Sequence, residues 1–119
     1  MAEVKTWSGG CHCGKVRYQV STDLAQVLSC NCSICTKHGL LVSPVPAEAF
    51  KLLSGQDQVR EYQFGKKRIR HQFCTTCGVE SFAHGSMPDG TPIVAINVRC
   101  LEGIDLNALT LTPFDGRSM

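Results

Sequence analysis

The sequence predicts a mostly β, antiparallel fold, and three observations carry that prediction. Apolar and polar residues alternate with period two in several short runs, Gly and Pro punctuate the chain between those runs, and only two segments leave room for a helical turn. The clearest run is residues 15–20, where Val16, Tyr18 and Val20 share one face and Lys15, Arg17 and Gln19 the other. Further strands are expected at 40–45, 50–53, 59–64, 69–73, 79–83 and 93–98, seven or eight in all. Pro44 and Pro46 limit the run at 40–45 to a sheet edge or an early stop, because proline has no N–H to give a ladder. Gly55, Gly65, Gly85 and Gly90 mark turns, and the helical turns fall at 33–39 and just after Pro46.

The chain has 119 residues and shows no linker-like shift in composition, no low-complexity tract and no repeat of fixed period, so residues 1–119 are expected to form one domain. A chain with 43% hydrophobic and 18% charged residues is not the composition of a disordered segment. No apolar run approaches the roughly 20 residues of a membrane helix, and MAEVKTWSGG is not an export signal; a soluble, cytoplasmic protein is expected. The formal charge of +2 counts every thiol as neutral. Two metal ions, one on four thiolates and one on three, would bring it to −1, so basicity is no argument for a nucleic-acid partner, and none is expected.

Eight cysteines are far more than a reducing compartment would keep for packing, which points to metal. They occur as Cys11-x-Cys13, Cys30-x-Cys32-x-x-Cys35, Cys74-x-x-Cys77 and a lone Cys100. Such spacings bring two or three sulfurs onto one turn, within reach of a common zinc at about 2.3 Å per bond. The simplest pairing joins Cys11 and Cys13 to Cys74 and Cys77 as a closed structural zinc, leaving Cys30, Cys32 and Cys35 as a three-ligand site with an open position where chemistry could occur. Alternatives stay open: Cys100 as a fourth ligand closing the triplet, a disulfide framework, or an iron–sulfur cluster. A small β fold has little core per residue, so the structural zinc is expected to supply folding free energy directly.

The runs Gly9-Gly10-Cys11-His12-Cys13-Gly14, Cys30-Asn31-Cys32-Ser33-Ile34-Cys35 and Phe73-Cys74-Thr75-Thr76-Cys77-Gly78 resemble the family of glutathione-dependent formaldehyde-activating enzymes, which includes the domain of centromere protein V. Gly85, Asp89-Gly90 and Ile96-Asn97-Val98-Arg99-Cys100-Leu101 extend the resemblance over nearly the whole chain. It implies a β-tent type of fold with zinc-ribbon-like cysteine turns, akin to methionine sulfoxide reductase B. Two Zn2+ ions are implied, one on Cys11, Cys13, Cys74 and Cys77, the other on Cys30, Cys32 and Cys35 at the catalytic position. The implied activity is carbon–sulfur lyase or synthase chemistry on a small thiol–aldehyde adduct such as S-(hydroxymethyl)glutathione, with a small thiol such as glutathione as partner. A non-enzymatic zinc module of the same fold, binding another molecule, is the alternative. A redox enzyme using Cys100 is a third, against which stands an inert cysteine in an apolar strand.

If a substrate thiol is ionised at the open zinc, its sulfur can attack an aldehyde, and backbone N–H groups around Asn31 to Ile34 could then stabilise the alkoxide. Three thiolates give much charge to the ion, so it is expected to be loosely held and partly occupied. His12 is expected to point away from the sulfurs; His38 is the candidate fourth ligand or proton carrier, with an exposed turn residue as the plainer reading. His71 and His84 sit in strands, and His71 faces the polar side only if its strand is regular. Lys66, Lys67, Arg68 and Arg70 could attract substrate carboxylates or form an exposed turn; Ser33 is expected to cap the helical turn and Asn97 to bond within the fold. Trp7, Tyr18, Tyr62, Phe64, Phe82 and Phe114 are expected to be core or pocket wall.

Overall fold

The computed structural model describes residues 4–64 and 69–116, and among them ten strands form two sheets. The smaller sheet has the order β1-β2-β5, from β1 (Lys5–Gly10), β2 (Arg17–Thr22) and β5 (Phe50–Ser54), all antiparallel. The larger has the order β10-β3-β4-β9-β8-β7-β6, from β3 (Val27–Cys30), β4 (Val42–Pro46), β6 (Val59–Tyr62), β7 (Arg70–Cys74), β8 (Glu80–Ser86), β9 (Pro92–Asn97) and β10 (Leu111–Phe114). The mostly β expectation holds. The antiparallel expectation holds for every strand pair but one: β10 returns beside β3 in parallel, pairing Leu111 with Val27 and Phe114 with Cys30.

The period-two reading of residues 15–20 places the core. Val16, Tyr18 and Val20 are buried, and so are Phe82, Val94 and Ile96 on the facing sheet. The rings of Tyr18 and Phe50 lie 5.2 Å apart and those of Phe50 and Phe82 4.8 Å, so an aromatic cluster joins the two sheets. Burying each such side chain contributes about 1.5–3 kcal/mol.

Pro44 and Pro46 do not put β4 at an edge, since it lies between β3 and β9. They are tolerated because β3 pairs with β4 only at Leu28 and Val42. Residues two apart aim their backbone nitrogens at the same side, so both prolines sit where no partner needs a donor. The expected helical turns are present as α1 (Ser33–His38), ending in Gly39 at φ +67, and a 3-10 turn at Ala47–Ala49.

Candidate metal centre

Cys11 and Cys13 lie between β1 and β2; Cys74 ends β7 and Cys77 follows in the turn to β8. The four sulfurs all lie within 4.8 Å of one another, with Cys11 to Cys13 at 3.5 Å and Cys13 to Cys74 at 3.6 Å. A tetrahedron with 2.3 Å metal–sulfur bonds has edges of about 3.8 Å, so this spacing fits one tetrahedral ion. Each turn is shaped for it. Cys11 N–H donates to Val16 O and Gly78 N–H to Cys74 O, while Val16 and Thr76 N–H each point at a sulfur, of Cys11 and Cys74, at 3.4 Å. Gly14 (φ +85) and Gly78 (φ +80) close the two turns in the left-handed region; nothing crowds a Cβ there, so backbone conformation is what calls for glycine.

Crowding separates the thiols electrostatically. Burial pushes Cys77 up, but N–H donation from Val79 and Cys13, together with the sulfurs of Cys11 and Cys74, outweighs it and brings Cys77 down to about 6. The Lys15 N–H pulls Cys13 down, yet desolvation and the thiols of Cys11, Cys74 and Cys77 raise it to about 11. Sulfurs this close cannot all ionise without a cation among them, and a divalent ion is the charge this donor set fits.

The second group is Cys30, Cys32 and Cys35, again within 4.8 Å of one another. Cys30 ends β3, Cys32 is the residue before α1, and Cys35 is buried on α1 itself. Burial pushes Cys32 up, but hydrogen bonds from Cys35, Cys30 and the Ile34 N–H hold it below the ordinary thiol value. Burial and the neighbouring Cys32 and Cys30 sulfurs hold Cys35 well above it. Among the described residues no fourth His, Cys, Asp or Glu joins this group at that distance. One side is closed by β10 and the residues just after it: a Cβ on Gly116 would lie 2.6 Å from Cys30 Sγ, and Asn31 N–H donates to Phe114 O.

Cys100 does not complete the triplet. It ends a 3-10 turn at Val98–Cys100, its sulfur lies 3.9 Å from Glu80 O, and burial, Cys11, Cys77 and Glu80 raise its thiol to about 11; the partners are those of the four-sulfur side. All eight cysteines are free of disulfides. Ser33 does not cap α1: Cys32 occupies the cap position. Of the N–H donors expected to serve an alkoxide, three bond elsewhere, Asn31 to Phe114 O, Cys32 to Cys30 Sγ and Ile34 to Cys32. His12 is exposed, as expected. Asn97 donates to Glu80 O and accepts from Arg99 N–H, a bonding role inside the fold.

A cleft of about 460 Å³, within the roughly 300–1,000 Å³ common for small-molecule sites, is lined by residues next in sequence to both cysteine groups, Ser33 and Ile34 beside Cys32 and Cys35 and Phe73 and Gly78 beside Cys74 and Cys77, but by none of the cysteines themselves. Ser33, Ile34, Lys37 and His38 of α1 form one wall; Tyr62, Phe64, His71 and Phe73 form the other, with Gly78 and Glu80 at its base. His71 is buried next to buried Gln72, and the β7–β8 register shifts just beyond them, where Ser81 of β8 is the extra residue between the partners of Gln72 and Phe73. Its Nδ1 lies 2.6 Å from Glu80 Oε2, and His38 Nδ1 lies 3.1 Å from Glu80 Oε1. Glu80 is the residue that sequence reading missed; a carboxylate inside the apolar run Val79–Ala83 was the available signal. Of the basic cluster, Lys66, Lys67 and Arg68 lie outside the described residues and Arg70 is exposed. Tyr18 and Phe82 are core, Tyr62 and Phe64 wall the cleft, Trp7 is half-buried, and Phe114 is exposed on β10.

Two comparisons place this arrangement among known proteins. The crystal structure of a Rhodobacter sphaeroides protein, a structural genomics target, is similar with a TM-score of 0.77 and 29% identity, covering 89% of this chain and 97% of that one. The family model described as glutathione-dependent formaldehyde-activating enzyme matches residues 6–110, which takes in both cysteine groups and the cleft. The chain therefore belongs to the glutathione-dependent formaldehyde-activating enzyme family.

Proposed function

We propose that this is a zinc enzyme acting on the carbon–sulfur bond of a small thiol–aldehyde adduct, with S-(hydroxymethyl)glutathione, the adduct of glutathione and formaldehyde, as its substrate. The observation that carries the reading is the division of seven cysteines into a group of four and a group of three, the three on the α1 turn whose Ser33 and Ile34 line a cleft. Cys11, Cys13, Cys74 and Cys77 would hold a structural ion, and Cys30, Cys32 and Cys35 the ion at the reaction centre, in one domain. A zinc on three protein thiolates keeps a position for an outside ligand and lowers the pKa of a thiol placed there.

The chain itself does the rest. Tyr62, Phe64 and Phe73 present an apolar wall that excludes water from a bound adduct, and Lys37 offers a cation at the cleft for a substrate carboxylate. Eight free thiols suit a reducing compartment, and we place the protein in the cytoplasm.

Exchange NMR on formaldehyde and glutathione tests the reading. Zinc-loaded protein should accelerate interconversion of the free pair and S-(hydroxymethyl)glutathione, and Cys32→Ser should abolish the acceleration while keeping the fold. No acceleration with glutathione or any other small thiol would overturn it and favour a zinc module that binds another molecule.

A further inference from the structure

Three residues beyond Cys35, at the end of α1, His38 meets a carboxylate that neither cysteine group includes. The Glu80 side chain is only 4% exposed, yet both of its oxygens meet imidazoles carried by different elements, His38 at the end of α1 and His71 on β7. Its backbone is fixed as well, with Glu80 opposite Phe73 in the β7–β8 ladder and its carbonyl accepting from Asn97 Nδ2 at 3.0 Å. A buried carboxylate carries a desolvation cost that an apolar residue would avoid, so its retention calls for a use.

An ionised carboxylate can only accept hydrogen bonds. With Glu80 ionised and both rings neutral, each Nδ1 would carry the proton and donate it, His38 to Oε1 at 3.1 Å and His71 to Oε2 at 2.6 Å. That assigns the tautomer of each ring and leaves each Nε2 as an acceptor. The two rings differ in exposure. His71 is buried with its ring 5.7 Å from that of Phe64, whereas the His38 side chain is 43% exposed and lines the cleft. His38 follows Cys35 by three residues, which sets both on one face of α1 at roughly 5–6 Å between Cβ atoms.

The geometry points to His38 as the proton carrier of the three-sulfur centre, with Glu80 as the positioning residue that sets its tautomer and His71 as the strut that holds Glu80. The assignment rests on the thiol–aldehyde reading above. In the direction of adduct formation the thiol S–H bond breaks and its proton passes to His38 Nε2. The sulfur electron pair forms the C–S bond while the carbonyl π pair moves onto oxygen, and that oxygen takes the proton back from Nε2. Nothing is oxidised or reduced, and no further reactant is needed. A proton donor suits the site because the nearby Asn31, Cys32 and Ile34 N–H groups are already bonded and are not free to steady an alkoxide.

Long-range proton–nitrogen NMR on the zinc-loaded protein reads the tautomers without reference to turnover. His38 and His71 should both show a protonated Nδ1. In Glu80→Gln the carboxamide offers one acceptor and one donor, so one of the two rings should switch to a protonated Nε2. In the exchange assay the exposed variant His38→Gln should lose roughly 10²-fold in kcat, the lower range for general acid–base catalysis, with zinc content and thiol KM unchanged. Glu80→Gln should fall between it and wild type; should that variant not fold, the wild-type tautomers and His38→Gln still decide. A protonated Nε2 on wild-type His38, or a kcat for His38→Gln equal to wild type, would overturn the proton role alone. A wild type inactive on every thiol–aldehyde pair would overturn the reaction and this role with it.

Discussion

Single residues here work by controlling where charge can sit. Thiols packed within 4.8 Å of one another compete for ionisation; against burial, N–H donation from Val79 and Cys13 and the neighbouring sulfurs bring Cys77 down to about 6, while the Lys15 N–H is outweighed at Cys13 by desolvation and the other thiols, which raise it to about 11. His84 shows the same physics in a simpler setting. Burial and the nearby Arg70 hold its imidazole below the ordinary 6.5, with Glu61 opposing them. The folded chain thus binds this proton less readily than the unfolded chain. Above pH 6.5 both are neutral and His84 adds no pH dependence; as pH falls through 6.5 the unfolded state protonates first and stability declines. His84→Gln should lessen the loss of urea midpoint between about pH 7.5 and about pH 5.5 relative to wild type, and an unchanged loss would contradict the shift. At this scale cysteine spacing was fully legible, since two or three residues of separation limit sulfurs to one turn. Glu80 was not, because its meaning depends on His38, 42 positions away, and on a bulge at Ser81 of β8 that no local pattern announces.

Strands with a local signal could be read, and those without one could not. β2 and β5 to β9 alternate or carry β-branched and aromatic residues, and each lies within a few residues of its expected place. β1 ends in Gly9 and Gly10, which look like a turn but are buried strand; a Cβ on Gly10 would lie 2.1 Å from Val16 O, so close approach of two backbones chose glycine. β3 is only four residues long, and β10 is exposed throughout and contains Pro113, tolerable because the strand is an edge. Nothing local forecasts that β10 runs parallel to β3, a pairing across more than eighty residues. Its consequence is chemical, since it brings Gly116 against Cys30 Sγ at a distance no real Cβ could share. Gly116→Ala should therefore weaken metal binding at the three-sulfur centre by about tenfold, roughly 1.4 kcal/mol, and leave the four-sulfur centre untouched. Competition against a chromogenic chelator checks this; equal losses at both centres, or none, would count against the packing.

Over the whole molecule, the four-sulfur group joins the β1–β2 turn of one sheet to the β7–β8 turn of the other, so it braces the aromatic core between them. Zinc binding by small metal-folded peptides is worth about 10–16 kcal/mol, as much as or more than the 5–15 kcal/mol that keeps a typical domain folded. Cys74→Ser should consequently lose native near-UV circular dichroism, whereas Cys32→Ser should keep it; a Cys74→Ser protein that is native and metal-free would show that the core stands without the brace. The central claim is that one centre is closed and the other open to a substrate thiol. Zinc stoichiometry by elemental analysis, on wild type and Cys32→Ser with glutathione titrated into each, tests it most directly. The account predicts two zincs falling to one in the variant, with glutathione perturbing the metal of wild type alone. Two tightly held zincs indifferent to glutathione would contradict it.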